Sequence, residues 1–143
     1  MQKRNRFGKA LMHKLWVKRE FYMIVKLHNA GANIPKPVAM TKNAILMEYI
    51  GDESYAAPLL KDVNLAKEEI KNVYQLILNN ISIFYDIGIV HGDLSPYNIL
   101  YWNEEPYIID FPQSADIRNN PNTDELLKRD KENIEKWYKE QMK

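Results

Sequence analysis

Apolar residues recur at helical spacing from about Lys9 to Ala30, where Val17, Phe21, Ile24, Val25 and His28 share one face. Gly31 stands where a left-handed cap would end that helix. Pro35 and Pro37 then impose extended backbone. Val38–Met40 and Ala44–Tyr49 read as two strands turned at Thr41-Lys42-Asn43. The polar run Gly51-Asp52-Glu53-Ser54 breaks the pattern and reads as a linker. A second helix is predicted over about Leu65 to Ile87, with a stripe of Ile70, Val73, Tyr74, Ile77, Ile81, Phe84 and Tyr85 and a stop at Gly88. Ile89-Val90 enters a loop, and Asn98–Trp102 with Tyr107–Asp110 suggests a hairpin turned at Asn103-Glu104-Glu105-Pro106. From Thr123 the chain is charged and helical, with Leu126, Leu127, Ile134, Trp137 and Tyr138 apolar. Helices and strands are segregated, which predicts an α+β fold in two unequal lobes.

Composition narrows the class without naming a chemistry. A chain of 143 residues suits one domain, and a net charge of +1 points globally to neither nucleic acid nor a membrane surface. The absence of cysteine excludes disulfides and thiolate metal sites and fits a reducing, cytoplasmic setting. No apolar run reaches the roughly 18–20 residues of a membrane span. The basic start, Met1 to Arg6, has no apolar stretch after it and does not read as a signal peptide.

The chemistry concentrates in two segments. In His91-Gly92-Asp93-Leu94-Ser95-Pro96-Tyr97-Asn98 an aspartate is followed five positions later by an asparagine and then by a short apolar strand. Kinase catalytic loops have this pattern, because an aspartate must reach the attacking hydroxyl while an asparagine turns its amide oxygen to a magnesium ion. The second segment, Tyr107-Ile108-Ile109-Asp110-Phe111-Pro112, is an apolar strand ending in a carboxylate. A hairpin would bring Asn98 and Asp110 to the same end, and two hard oxygen donors suit magnesium. Taken singly, Asp93 reads as a solvated loop residue, Asn98 as a turn residue and Asp110 as a strand end; order and spacing together favour phosphoryl transfer. His91 is expected to be structural, holding the loop by packing and a hydrogen bond. Glu20 is the helix glutamate that would pair with a phosphate-holding lysine. Leu46-Met47-Glu48-Tyr49-Ile50-Gly51 runs from a strand into the linker, where adenine would meet backbone groups at Glu48 and Ile50 beside a gatekeeper-like Met47.

With these residues in place the chain resembles the RIO kinases, most closely their first subfamily, over nearly its whole length. Trp16–Pro37 resembles that family's helix and the extended segment after it, Leu46–Gly51 its hinge, His91–Leu100 its catalytic loop and Ile108-Ile109-Asp110 with Gln113-Ser114 its metal loop. Leu126-Leu127-Lys128-Arg129-Asp130 and Asn133 resemble its closing helix and separate it from small-molecule phosphotransferases that share an H-G-D loop. Asp110-Phe111-Pro112 is similar to the second subfamily instead. The resemblance implies a protein-kinase-like two-lobed fold with a reduced C-lobe lacking peptide-binding helices. Its parts would be an N-lobe remnant at 1–50, a hinge at 51–55 and a C-lobe at 56–143. It implies an atypical serine/threonine kinase or ATPase that uses ATP and Mg²⁺ and assists maturation of the small ribosomal subunit. Asp93 would be the catalytic aspartate, Asn98 and Asp110 the magnesium ligands, and Asp110 the phosphoacceptor.

The chain departs from the family upstream. The nineteen residues before Glu20 hold neither a glycine-rich loop nor a lysine in an apolar strand, so the N-lobe is expected to be truncated, as a fragment or a shortened relative. Stand-alone catalysis would suffer from the missing phosphate clamp. A non-catalytic degenerate kinase that binds a ribosomal precursor, and a small-molecule phosphotransferase, are the alternatives. Direct contact with nucleic acid is left open by the scattered basic residues. Val38–Tyr49 is expected to keep an unpaired edge. Pro112 predicts a metal loop that does not flip.

Overall fold

The structure is a computed structural model that describes the backbone of residues 2–143 and the side chains of residue 6 and residues 8–143. Helix α1 spans Gln2–Asn29, starting seven residues before the predicted Lys9. It ends in a Schellman-type cap: Gly31 has φ +91°, the Gly31 N–H reaches the His28 carbonyl at 3.1 Å and the Ala32 N–H reaches Leu27 at 3.1 Å. Its buried face is Val17, Met23, Ile24 and Leu27, whereas Phe21, Val25 and His28 are half-buried. The predicted stripe is therefore rotated, because α1 turns Met23 and Leu27 into the common core with Ile34, Ile77 and Ile108.

Strands β1 (Pro37–Met40) and β2 (Ile45–Met47) form the expected antiparallel hairpin, and no further strand joins them among the described residues. The Thr41 N–H donates to the Ala44 carbonyl at 2.8 Å, closing the turn. The linker is an ordered bend: the Asp52 carboxylate accepts the Ser54 and Tyr55 N–H groups at 2.8 and 2.7 Å. Gly51, at φ +146°, lies so close to the Tyr55 carbonyl that a Cβ would stand 2.5 Å from it. The chain then runs alongside the later hairpin, with the Tyr101 N–H donating to the Pro58 carbonyl at 2.9 Å.

Helix α2 (Lys67–Asp86) opens with the Glu69 carboxylate accepting the Ala66 N–H at 2.8 Å and closes at Gly88, φ +81°. Ile70, Val73, Ile77, Ile81 and Phe84 are buried as predicted, but Tyr85 is exposed and Asn80 takes a place on the buried face. Ile89-Val90 is a short strand, β3, rather than a loop; it pairs antiparallel with β6 (Ala115–Asp116). Strands β4 (Ile99–Trp102) and β5 (Glu105–Ile108) form the second hairpin. Its turn is tighter than the predicted four residues: Asn103 and Glu104 both take positive φ, and Glu105 and Pro106 already belong to β5. Helix α3 (Thr123–Met142) packs on α2, where Tyr74 and Tyr138 stack at 4.2 Å.

One residue ties three elements together. The Asn33 N–H donates to Asn80 Oδ1 of α2 at 2.6 Å, its Nδ2 donates to the Pro106 carbonyl at 2.5 Å, and its carbonyl accepts the Ile108 N–H at 3.0 Å. The connector after α1 is thereby fixed to α2 and to β5, the strand that leads to Asp110. No described helix is long and apolar enough to cross a membrane.

Candidate active site

The loop after β3 is built around His91, which is buried between Phe84 and Phe111 at ring distances of 6.5 and 5.6 Å. Its Nε2 faces the Ile109 carbonyl at 2.9 Å and its Nδ1 accepts the Asp93 N–H at 3.2 Å. A carbonyl can only accept and an N–H can only donate, so these partners make Nε2 the donor and Nδ1 the acceptor. His91 is structural, as its sequence context suggests. It joins the two chemically loaded segments.

Asn98 is buried at the end of the same loop. Its Oδ1 accepts the Ser95 N–H at 2.9 Å, its Nδ2 donates to the Asp93 carbonyl at 2.5 Å, and its backbone carbonyl accepts the Ile109 N–H at 3.0 Å. Ile109 is thus bound on one side by His91 and on the other by Asn98, which sets Asp110 beside the loop carrying Asp93. Both aspartates are exposed. Asp110 has φ +68°, a left-handed conformation that costs a non-glycine residue about 1–2 kcal/mol. The next side chain, Phe111, is buried against His91 and Phe84 and anchors that turn.

Helix α1 brings Glu20 to this end. Its carboxyl is pushed above the usual carboxylate range, first by burial and second by the charge of Asp110. Glu20 and Asp110 are therefore near neighbours of like charge, and among the described residues neither carboxylate has a salt-bridge partner. Two carboxylates of this kind are hard oxygen donors of the type a divalent cation such as Mg²⁺ takes. A cleft of about 380 Å³ opens beside Glu20, lined by Trp16 and Arg19 of α1 and by the Phe111–Ser114 turn, where Ser114 Oγ is buried without a partner.

At the linker, the Glu48 N–H is engaged with the Lys36 carbonyl at 2.8 Å and the Ile50 carbonyl with the Ala57 N–H at 3.0 Å. The Glu48 carbonyl and the Ile50 N–H have no backbone partner among the described residues.

The C-terminal helix grips the loop from below. Asp130 is buried, and its two carboxylate oxygens accept the Gly92 and Leu94 N–H groups at 2.8 and 2.9 Å. Arg129 donates to the Gly92 carbonyl at 2.6 Å and Asn133 to the Leu94 carbonyl at 3.2 Å. Burial raises the Asp130 carboxyl, and the two N–H groups and Arg129 partly offset that. Gly92 has φ +88° and meets the Gln113 carbonyl where a Cβ would stand, so the two loops touch through a position that only glycine fills. The charged run from Lys128 to Asn133 did not reveal this inward turn; a lone carboxylate on the stripe of Leu127, Ile134 and Trp137 was the available signal.

The whole chain, residues 1–143, matches the model of the RIO domain. It is 33% identical over 129 residues to the serine/threonine-protein kinase rio1 of Dictyostelium discoideum, covering 90% of this chain and 22% of the relative. It is 36% identical over 124 residues to the RIO-type serine/threonine-protein kinase Rio1 of Thermoplasma acidophilum, covering 87% and 63%. The bovine serine/threonine-protein kinase RIO3 is 32% identical over 139 residues, covering 94% and 27%. The chain thus spans between about a fifth and two thirds of the length of these relatives. The granulovirus kinase PK-1 of Cydia pomonella superposes with a TM-score of 0.56 at 21% identity, over 68% of this chain and 38% of that one, which shows a kinase-like fold.

Proposed function

Because the chain belongs to the RIO domain family, whose relatives above are named serine/threonine-protein kinases, we propose that it is the catalytic portion of an ATP- and Mg²⁺-dependent kinase or ATPase of RIO type. The observation that carries this reading is Ile109, held by His91 on one side and Asn98 on the other, so that Asp110, Asn98 and Asp93 share one end of the hairpin.

In this reading Asn98 Oδ1 and the Asp110 carboxylate hold the metal, which when bound would neutralise charge on the phosphates. Asp93 accepts or orients the proton of the attacking hydroxyl. The Glu48 carbonyl and Ile50 N–H, without backbone partners just before the hinge, offer adenine one acceptor and one donor. Glu20 supplies the carboxylate for a phosphate-holding lysine. Asp110 is the phosphoacceptor when phosphate passes to the protein itself: a carboxylate oxygen bonds to the γ-phosphorus as the bond to the ADP oxygen breaks. Residues 1–50 are the remainder of an N-lobe, 51–55 its hinge and 56–143 the C-lobe. The setting is cytoplasmic, on the path of small ribosomal subunit maturation.

The test is transfer from γ-labelled ATP with Mg²⁺. Label on the chain that is stable in acid, labile in hydroxylamine and lost in Asp110→Asn supports the phosphoacceptor role. Label that persists in Asp110→Asn and Asp93→Asn contradicts the assignment.

A further inference from the structure

The charges of this chain are unevenly placed. Helix α1 carries eight Lys and Arg and one carboxylate, Glu20, which turns inward toward Asp110. It therefore holds seven net positive charges in a chain of net +1, leaving the other residues at six net negative. Of the twelve Lys and Arg outside α1, five form ion pairs: Lys61, Lys71, Arg118, Lys128 and Lys139. Among the described residues no Lys or Arg of α1 does.

Their arrangement is specific. Lys14, Lys18, Tyr22 and Lys26 follow one another at intervals of four and so form a single ridge on the outward face, all four exposed. Each step along the ridge is about 6 Å, the scale on which phosphates succeed one another in an extended single strand. The ridge ends in a cleft of about 300 Å³ lined by Arg19, Tyr22 and Lys26 of α1 and by Arg118 and Asn119 beyond β6. Asp116 holds Arg118 at 2.9 Å. An exposed aromatic ring between two unpaired lysines, opening on a cleft with an arginine and a carboxamide, has the elements of a stacking platform beside a phosphate track.

We propose that this face of α1 and the adjoining cleft bind a single-stranded nucleic acid, with phosphates along Lys14, Lys18 and Lys26 and a base against Tyr22. Neither Asp93 nor Asn98 lines this cleft, and the proposal does not depend on the ATP reading.

Fluorescence anisotropy with labelled oligouridine and oligodeoxythymidine of ~12 nucleotides, at salt between about 50 and 200 mM, tests it. The whole chain is expected to bind the single strand more tightly than a duplex. The Lys14→Gln, Lys18→Gln, Lys26→Gln triple variant should lose about 2 from the log–log salt slope. Tyr22→Ala should bind about tenfold more weakly at constant salt. Preference for RNA or for DNA supports the site equally, since both strands present the same phosphates. No binding at low salt, an unchanged slope in a folded triple variant, or binding to phosphatidylserine vesicles without binding to either strand overturns it.

Discussion

Asp130 accepts the backbone N–H groups of both Gly92 and Leu94, at 2.8 and 2.9 Å, from a position 38 and 36 residues further along the chain. The loop that carries Asp93 is thus shaped by the C-terminal helix. Removing the carboxylate leaves two buried N–H groups without acceptors. Asp130→Ala is expected to cost about 3 kcal/mol, read from urea unfolding. Asp130→Asn keeps one acceptor but turns an amide donor toward the other N–H, so it should fall between wild type and the alanine variant. A cost within error of zero for both would show that the clamp is not a determinant of the loop.

Gly92 tests the contact between the catalytic loop and the segment after Asp110. An alanine there must take φ +88° and displace the Gln113 carbonyl. The left-handed conformation alone costs about 1–2 kcal/mol, so Gly92→Ala should lower the unfolding midpoint. It should also weaken Mg²⁺-dependent nucleotide binding, because the displaced Gln113 lies three residues beyond Asp110.

Glu20 has a pH signature. Burial, and then Asp110, raise its carboxyl in the folded state above the ordinary 4.5. The protonated form is therefore favoured by folding: this contribution to stability is complete below the unfolded value and is lost as pH rises through the folded value. At neutral pH the ionised group is a net cost. Glu20→Gln is expected to melt a few degrees higher than wild type at pH 7, with the difference vanishing near pH 4. Equal melting curves at both pH values would mean that neither burial nor Asp110 disfavours the charged Glu20 carboxylate.

Asn80 holds the connector after α1. Asn80→Ala leaves the Asn33 N–H without its 2.6 Å acceptor and should cost about 1–3 kcal/mol. Hydrogen exchange at the Asn33 amide should accelerate more than at Ile108, whose partner is the Asn33 carbonyl. Uniform acceleration would point to global destabilisation alone.

Much of this arrangement was legible before the structure. The α+β order, both hairpins, the helix stops at Gly31 and Gly88 and the pairing of the Asn98 and Asp110 segments follow from local rules of period and turn chemistry. What local rules miss is contact between distant parts of the chain. The buried stripe of α1 is rotated because, of the overlapping apolar faces its sequence offers, the core takes the one with Met23, Ile24 and Leu27. The turn at Asn103-Glu104 is tighter because β4 and β5 pair to the last residue, which admits positive φ at two non-glycine positions. Asn33 and Asn80 are polar residues whose burial is justified only by partners far away in sequence, so nothing local marks them; Asp130 lies on the stripe of Leu127, Ile134 and Trp137, but its partners Gly92 and Leu94 are equally distant. Glu20 is marked in the sequence only by the kinase pattern; in the fold, burial and the charge of Asp110 act on its carboxyl.

If Asn98 and Asp110 hold the metal of a nucleotide site, calorimetry of ATP binding on the wild type and on Asp110→Asn, with and without Mg²⁺, reads it out. Binding is expected to require Mg²⁺ and to be lost in the variant while the fold is retained. Equal affinity with and without Mg²⁺, or an unchanged variant, or no binding by a folded wild-type chain, would contradict it.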